Sequence, residues 1–427
     1  MVTSPNDLPR TVGELRASGH RERSVKAELR ENLLAKLSAG VDVAEVWPGI
    51  LGFEDTVIPQ LERALIAEHD MVLLGERGQG KTRLLRALSG LLDEWTPVIA
   101  GAELGEHPYS PITPESIKRA ADSGDDLPVA WKHRSERYTE KLATPDTSVA
   151  DLVGDIDPIK VAEGRSLGDP ETIAYGLIPR AHRGIVAVNE LPDLAERIQV
   201  AMLNVMEERD IQVRGYTLRL PLDVLVVASA NPEDYTNRGR IITPLKDRFG
   251  AEIRTHYPQE LDAEVGVISQ EAHLAAEVPD YLLQILARFA RALRESTSID
   301  QRSGVSARFA IAAAETVAAS ARHRGAVLGE SDPVARVVDR LVEGVRADAD
   351  RRPAQVELAD VHSIECGVPC VFPSLDDILF AHRIIVKSVV GDIRLCVHHI
   401  SLALVVRVLG IHNEKDIVVG PIDFPKS

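Results

Sequence analysis

The sequence predicts an α/β fold in which a parallel sheet lies between helices, followed by a helical domain and an atypical tail. Short apolar runs alternate with helical segments between residues 45 and 258, as in a parallel sheet covered by helices. A glycine-rich loop joins one of these runs to a helix at residues 75–82. Beyond Pro258, apolar residues recur at helical spacing instead.

The strands of the predicted sheet are short and apolar on both faces. The clearest candidates are residues 71–74, 185–188 and 224–228, which are rich in Val, Ile and Leu. Strands of this composition are typical of a parallel sheet that is buried on both sides. The stretch 132–141 mixes charges of both signs. We predict that it forms a solvated helix face and not a nucleic-acid site.

Changes in composition along the chain predict four regions. Residues 1–44 are polar with a helical stretch at 27–37, and residues 259–348 contain helix patterns at about 281–293, at 305–322 and from about Pro333. The predicted regions are an N-terminal helical and polar segment (1–44), an α/β nucleotide-binding core (45–258), a helical lid (259–348) and a divergent tail (349–427).

Composition and charge exclude several classes of function. The chain has 427 residues, 44% hydrophobic and 27% charged, which is ordinary for a globular protein. Its formal charge of −16 argues against a surface that binds nucleic acid non-specifically. Because no apolar run approaches the ~20 residues of a membrane span, and residues 1–10 lack the apolar centre of a secretory signal, we predict a cytoplasmic protein with no membrane partner.

The sharpest motif is a phosphate-binding loop. It matches G-x-x-x-x-G-K-[ST] in full and lies between an apolar strand and a helix, as that motif requires. Glycines let backbone N–H groups turn toward phosphate oxygens, and the following helix N-terminus favours negative charge. We expect Lys81 to reach the β- and γ-phosphates and the Thr82 hydroxyl to hold Mg²⁺. The predicted binding residues are Gly75, Glu76, Arg77, Gly78, Gln79, Gly80, Lys81 and Thr82.

Polar residues follow two further strands of the predicted sheet. Asn189 and Glu190 end the run 185–188, and Asn231 follows the run that begins at Val224. Ligands of open α/β sheets bind at the carboxyl ends of the strands. We predict that Glu190 orients the attacking water and that Asn231 contacts the γ-phosphate or the water. Asn189 stands where an Asp usually helps to hold the metal, so it is a candidate metal ligand that lacks the charge.

Two arginines complete the candidate catalytic set. Arg248 follows Asp247 shortly after the third strand, and we expect it to reach the ATP of a neighbouring subunit as an arginine finger. The order of these motifs resembles the AAA+ superfamily. Within the helical region, residues 304–308 resemble the sensor 2 motif of that superfamily, which implies that Arg308 touches the γ-phosphate.

Finer features resemble one branch, that of the magnesium chelatase ATPase subunit and the MoxR-type ATPases. The stretch from residues 154–157 through 176–184 looks like the insert of that branch, followed by its Walker B strand. Residues 206–221 look like its hairpin, and residues 230–233 like its sensor 1 segment. The resemblance covers about residues 45–340. It implies an ATPase that uses ATP and Mg²⁺, forms a hexameric ring and acts on a partner with a von Willebrand A-type domain.

Two other readings remain open at this point. An ATP-binding scaffold with little hydrolysis is one, because Asn189 lacks the charge of Asp. A DNA-acting AAA+ motor is the other, although the acidic balance of the chain disfavours it. The tail carries a weak metal pattern, for which packing or disorder is the simpler explanation because the spacing matches no strong zinc motif. Its candidate ligands are Cys366, Cys370, Cys396, His398 and His399.

Overall fold

The computed structural model describes residues 7–164, 172–208, 211–213, 216–218, 220–231, 240–295, 305–337 and 339. The chain divides into two compact units after Pro258. The predicted tail (349–427), with its candidate zinc ligands, lies outside the described residues. None of the helices in the described part of the chain is long and apolar enough to cross a bilayer.

The first unit contains all eleven strands of the described residues and eleven of their helices. The strands are β1 (Met71–Leu74), β2 (Trp95–Ile99), β3 (Val129–His133), β4 (Tyr138–Leu142), β5 (Gly154–Ile156), β6 (Ile173–Tyr175), β7 (Gly184–Asn189), β8 (Ile211–Val213), β9 (Tyr216–Leu218), β10 (Val224–Ala230) and β11 (Ala251–Arg254). The helices are α1 (Val12–Ala17), α2 (Val25–Ser38), α3 (Val43–Val46), α4 (Ile58–Ile66), α5 (Lys81–Ala87), α6 (Pro114–Ser123), α7 (Val149–Leu152), α8 (Pro158–Ala162), α9 (Leu177–Arg180), α10 (Glu196–Glu208) and α11 (Thr243–Arg248).

A five-stranded parallel sheet forms the centre of this unit, in the order β11-β1-β10-β7-β4. Every residue of β1, β7 and β10 is buried, which explains why these strands are apolar on both faces. The predicted parallel sheet between helices is therefore confirmed, and the three clearest predicted strands are its three central ones.

Hydrophobic residues cover both faces of the sheet. Ile185 and Ala187 belong to one core, together with α2, α4 and α5. Val186 and Val188 belong to the other, together with α10. Because side chains alternate along a strand, residue 189 must return to the face that carries α5. This alternation decides which polar groups meet at the ends of the strands.

The prediction of a solvated helix at 132–141 is wrong. These residues form the end of β3, a short turn and most of β4, which pairs with β7 along its whole length. Arg137 is almost completely buried, and both of its terminal guanidinium nitrogens donate to Glu28 at 2.7 Å. The mixed charges of this stretch are thus used partly inside the fold, where a buried charge must have a partner.

The N-terminal helix α2 packs on the central sheet. Ser24 caps it by accepting a hydrogen bond from the Ala27 N–H, and Leu29 and Leu33 enter the same core as α4 and α5. Lys26 pairs with Asp70 at 3.0 Å, and Asp70 also accepts a bond from the backbone of β10. Both apolar and ionic contacts therefore join this helix to the central sheet.

Two small antiparallel ribbons lie in the segments that suggested the branch-specific insert and hairpin. The ribbon β5–β6 pairs Gly154 with Tyr175, and the ribbon β8–β9 pairs Ile211 with Leu218. A third ribbon, β2–β3, follows the phosphate-loop helix. The described structure thus places one antiparallel strand pair in each of the two predicted segments.

The second unit is helical, as the sequence predicts. Its described helices are α12 (Leu261–Glu271), α13 (Asp280–Glu295) and α14 (Ala307–Leu328). Leucines of α13 pack against a row of alanines on α14, whose small side chains let the two helices approach closely. The prediction of a helix from about Pro333 is wrong for residues 333–337, which are not helical. Arg324 instead ties this segment back by pairing with Asp339 at 3.0 Å.

Two buried histidines make the stability of the first unit sensitive to acid. Burial, and then the nearby Arg183, lower the pKa of His182 to about 3 and that of His107 to about 2. The backbone N–H of Asp223 donates to Nδ1 of His182, a bond that needs the neutral ring. Since the unfolded histidine has a pKa near 6.5, the unfolded state binds more protons below that pH. Stability is full above pH 6.5 and falls as the pH drops toward 3.

We expect His182→Asn to flatten this acid dependence. When the pH falls from 6.5 to 5, each such histidine should reduce the free energy of unfolding by about 1.5 kcal/mol. The variant should not show the reduction that His182 causes. Tryptophan fluorescence in urea is the measurement, because all three tryptophans (47, 95 and 131) lie in the first unit. The exposed His69, replaced in the same way, is the control. An unchanged slope in His182→Asn would contradict the assignment.

Candidate nucleotide-binding site

The phosphate loop (residues 75–82) leaves the central strand β1 and enters α5. Gly78 and Gly80 have φ values of +77° and +71°, in the left-handed region that favours glycine. At Gly75 the surroundings leave no room for a side chain, because an added Cβ would lie 1.9 Å from Oγ1 of Thr255. The glycines of the motif are thus required by the backbone path and by close packing.

Lys81 is turned into the loop. Its side chain is buried, and Nζ donates to the carbonyl oxygens of Gly75 at 2.5 Å and Glu76 at 2.7 Å. The ammonium group is thus held at the centre of the loop. Phosphate oxygens are stronger acceptors for such a group than these carbonyl oxygens. Thr82 follows on the first turn of α5 and is half-buried. The geometry suits a triphosphate bound between the loop and the start of the helix.

Hydrogen bonds that the sequence did not predict fix the loop on the side of β11. Oε1 of Gln79 accepts hydrogen bonds from the Glu76 N–H at 3.0 Å and from Oγ1 of Thr255 at 2.9 Å. The N–H of Thr255 in turn donates to the carbonyl of Leu74 at 2.7 Å. The loop is therefore fixed where β1 and β11 end, and Gln79 has a structural role besides its place in the motif.

A second missed group lies beside Gly80. The ring of Phe53 is 3.7 Å from where a Cβ of Gly80 would stand, and His256 packs edge-on against that ring at 5.2 Å. His256 also shares a hydrogen bond of 2.7 Å with the hydroxyl of Thr56. These residues come from segments about 200 positions apart, so no local pattern could reveal them.

The predicted strand-end residues come together as the order of strands requires. The N–H of Gly75 donates to the carbonyl of Ala230 at 3.1 Å, which brings Asn231 next to the phosphate loop. Ala228 pairs with Val188, so Asn189 and Glu190 emerge on the other side of β10. The site thus has the phosphate loop, Asn231 and Glu190 in that order along one edge of the sheet.

Glu190 has a left-handed backbone, with φ of 55° and ψ of 48°. Its N–H donates to Oγ of Ser229 on the neighbouring strand at 3.3 Å. A non-glycine residue in this region is strained, and such strain is concentrated at functional sites. The turn directs the chain away from the sheet directly after β7, so Glu190 lies at the strand end. Its catalytic role stays a prediction.

Asn189 is held by both ends of its amide. Nδ2 donates to Oε1 of Glu140 at 2.7 Å, and Oδ1 accepts from Oγ of Ser229 at 3.0 Å. The side chain is therefore fixed between β4 and β10, and its oxygen keeps one further acceptor position. Glu140 was not among the predicted site residues, yet it brings a carboxylate into contact with the predicted metal ligand.

The two predicted arginines occupy different units. Arg248 lies at the end of α11, about half exposed, and forms an ion pair with Glu207. Arg308 lies on the first turn of α14 in the second unit and is exposed. Arg248 is exposed enough to contact another molecule, and it would then give up its ion pair with Glu207. The roles of both arginines stay predictions.

The oxygen donors at the strand ends suit Mg²⁺. The hydroxyl of Thr82, the carboxylate of Glu190 and the amide oxygen of Asn189 are hard ligands of the kind that Mg²⁺ prefers. Among the described residues, no group of three or more His, Cys, Asp or Glu could hold a metal by itself. Mg²⁺ usually takes few protein ligands, and phosphates and water complete its coordination.

The parallel sheet, with the phosphate loop at its edge, is the P-loop core of the AAA+ fold, and the chain resembles proteins of that class. The sigma-54 interaction domain family matches residues 164–248, which is less than half of the chain. The chain is also similar to subunits of magnesium chelatase. It is 27% identical over 216 residues to subunit ChlI of Anabaena variabilis, and 30% identical over 201 residues to ChlI of Synechocystis.

The aligned part is limited in these relatives. It covers 50% of this chain and 60% of the Anabaena protein, and 46% and 52% for Synechocystis. For the 38 kDa magnesium-chelatase subunit of Cereibacter sphaeroides, identity is 29% over 212 residues, with 47% and 55% covered. The chain therefore spans little more than half the length of the relatives that it matches. The resemblance to the AAA+ superfamily and its magnesium-chelatase branch is confirmed.

Solved structures also match the chain, at low TM-scores. A reconstruction of the complex between magnesium chelatase subunits BchI and BchD matches at 22% identity and a TM-score of 0.38, covering 71% of this chain and 94% of that one. The RuvB Holliday junction branch migration motor of Thermotoga maritima matches at 11% identity and a TM-score of 0.39, covering 71% and 72%. Matches at these TM-scores support no conclusion about fold or function.

Proposed function

We propose that this chain binds ATP with Mg²⁺, hydrolyses it, and works as a ring subunit that remodels or assembles a partner protein, in the manner of magnesium-chelatase and MoxR-type ATPases. The observation that carries the proposal is the phosphate loop, with Lys81 buried and turned inward at the end of the central strand. Neighbouring strand ends present a carboxylate and an amide beside it, as catalysis of phosphoryl transfer requires.

Each residue of the site has a defined task in this proposal. Lys81 and the loop N–H groups bind and orient the phosphates, and a bound Mg²⁺ would neutralise their charge, with Thr82 and Asn189 as its protein contacts. Glu190 orients the attacking water and accepts its proton. Asn231, buried between the two, positions the water or the γ-phosphate. Phe53 and His256 offer an apolar and aromatic surface for the base.

The ring and the partner follow from the resemblance. The similar chelatase proteins are named as subunits, which supports work in an assembly. In a ring, the exposed Arg248 would leave Glu207 and reach the γ-phosphate held by the neighbouring subunit, and Arg308 would act from the helical unit. We propose a hexamer in the cytoplasm and a partner with a von Willebrand A-type domain. A binding scaffold that hardly hydrolyses ATP is the alternative, on the grounds of Asn189.

Replacing Lys81 tests the proposal directly. We expect Lys81→Ala to weaken the binding of labelled ATP by about 10- to 100-fold, the range for losing a hydrogen bond to a charged group. Equilibrium binding with Mg²⁺ present is the measurement. Lys118→Ala is the matched control, because Lys118 is exposed on α6. A Lys81→Ala variant that binds as well as the parent, or a parent that binds no nucleotide, would refute the proposed function.

Phosphate release separates the two alternatives. An ATPase releases phosphate with turnover when the parent is incubated with ATP and Mg²⁺, alone or with its partner. A scaffold binds the same nucleotide and releases none. Both outcomes presuppose binding, so the Lys81 experiment comes first.

A further inference from the structure

Glu140 lies on the same face of the sheet as the candidate catalytic residues. Tyr138 packs into the core that carries α5, and alternation along β4 returns Glu140 to that face. Asn189 and Ser229 follow Ala187 and Val227, which belong to the same core. Three neighbouring strands, β4, β7 and β10, thus place three polar side chains in one row beneath the phosphate-loop helix.

Arg86 connects this row to the phosphate loop. Its Nε donates to Oε2 of Glu140 at 2.7 Å, and one terminal nitrogen donates to Oε1 at 3.0 Å. Arg86 follows Thr82 by four residues, one helical turn, on α5. Glu140 is therefore fixed on one side by the helix that begins at the phosphate loop and on the other by Asn189.

The hydrogen bonds form one directional chain. Both carboxylate oxygens of Glu140 accept from Arg86, and Oε1 also accepts from Nδ2 of Asn189, so the amide nitrogen of Asn189 faces Glu140. The amide oxygen then faces Ser229 and accepts its hydroxyl proton, and the Ser229 oxygen accepts from the N–H of Glu190. The chain ends at the residue with the left-handed backbone. An aspartate at position 189 would instead set two carboxylates in contact.

We propose that Glu140 is a positioning residue of the ATP site, an inference that rests on the proposed function. Glu140 provides the carboxylate that position 189 lacks, orients the Asn189 oxygen, and through Ser229 holds Glu190 at the strand end. Asn189 is then not a weakened aspartate but the amide that Glu140 requires. It follows that Asn189→Asp impairs the site as long as Glu140 is present.

A double-mutant cycle tests this coupling. Asn189→Asp and Glu140→Gln should each lower kcat roughly tenfold, the scale of coupling between side chains in contact. The double variant should regain most of the loss, because its amide at position 140 can donate to its carboxylate at position 189 and recreate the pair in reverse. KM for ATP should change less than kcat, since the phosphate loop is intact. Glu136→Gln, an exposed glutamate in the turn before β4, is the control and should match the parent.

A second readout does not depend on turnover. The Mg²⁺ concentration for half-maximal binding of labelled ADP should rise in both single variants and return in the double variant, while melting temperatures stay near that of the parent. A scaffold that releases no phosphate is tested through this measurement alone. The inference is overturned if the double variant is as impaired as the single variants. It is also overturned if kcat falls only in step with the melting temperature, because Glu140 would then have a structural role alone.

The inference and the proposed function fail in different ways. If the Asn189→Asp variant, with Glu140 retained, exceeds the parent in kcat or in Mg²⁺ affinity, the inference is overturned. The proposed ATP site is not affected by that result. A parent that binds no nucleotide at any Mg²⁺ concentration, while Glu136→Gln behaves as the parent does, overturns the proposed function and the inference with it.

Discussion

Glutamine in place of Glu190 should lower phosphate release by about 100-fold or more, the range for losing a general base. The substitution keeps the size of the side chain and its hydrogen-bonding oxygen, but removes the charge that orients water and accepts its proton. Because Lys81 and the loop are untouched, the affinity for ATP should stay within about twofold. The strained backbone of Glu190 makes a compensating shift of the carboxyl group costly.

Single-turnover and steady-state phosphate release, each with a parallel binding measurement, decide this prediction. Glu196→Gln is the control, because Glu196 is exposed six residues further along, at the start of α10. We expect the control to match the parent in rate and in affinity. If Glu190→Gln releases phosphate as fast as the parent, Glu190 is not the catalytic carboxylate. If it loses binding as well, its role lies in the nucleotide complex and not in the chemical step.

The edge of the sheet that carries the site was predictable because its signals are local. A complete phosphate-loop motif, and apolar runs that end in polar residues, appear within a few positions of one another. Parallel strands bring their carboxyl ends to one edge whatever the details of the loops. For this reason the strand ends that carry Asn231 and Glu190 lie at the same edge as the phosphate loop, with β10 between β1 and β7.

The supports of the site were not predictable, since they depend on pairs that are distant in sequence. Gln79 contacts Thr255, and Thr56 contacts His256, across about 200 positions. Glu140 lies in a stretch whose mixed charges favoured a solvated helix, and its contact with Asn189 arises only once β4 has paired with β7. Charge density alone does not distinguish an exposed helix from an edge strand whose inner side chains find buried partners.

Replacing Glu28 by Gln should produce the largest loss of stability of the substitutions considered. Glu28 is 3% exposed and accepts both terminal nitrogens of Arg137 at 2.7 Å, as well as the N–H of Asp93. Breaking a buried pair from one side costs about 3–5 kcal/mol, because the remaining charge stays in the interior without its counterion. Arg183 is buried nearby, and burial followed by repulsion from Arg137 lowers its pKa to about 10. Removing Glu28 therefore leaves two buried cations short of negative charge.

Urea unfolding followed by tryptophan fluorescence measures this loss within the first unit alone, since all three tryptophans belong to it. Glu31→Gln is the matched control on the same helix. Glu31 is half exposed and pairs with Arg23 at 3.1 Å, so its loss should cost less than about 1 kcal/mol. Equal effects of the two substitutions would mean that α2 docks through its leucines alone. If only Glu28→Gln has a large effect, the buried ion pair joins this N-terminal helix to Arg137, directly before the strand that carries Glu140. It would then support the row of polar groups at the candidate nucleotide-binding site.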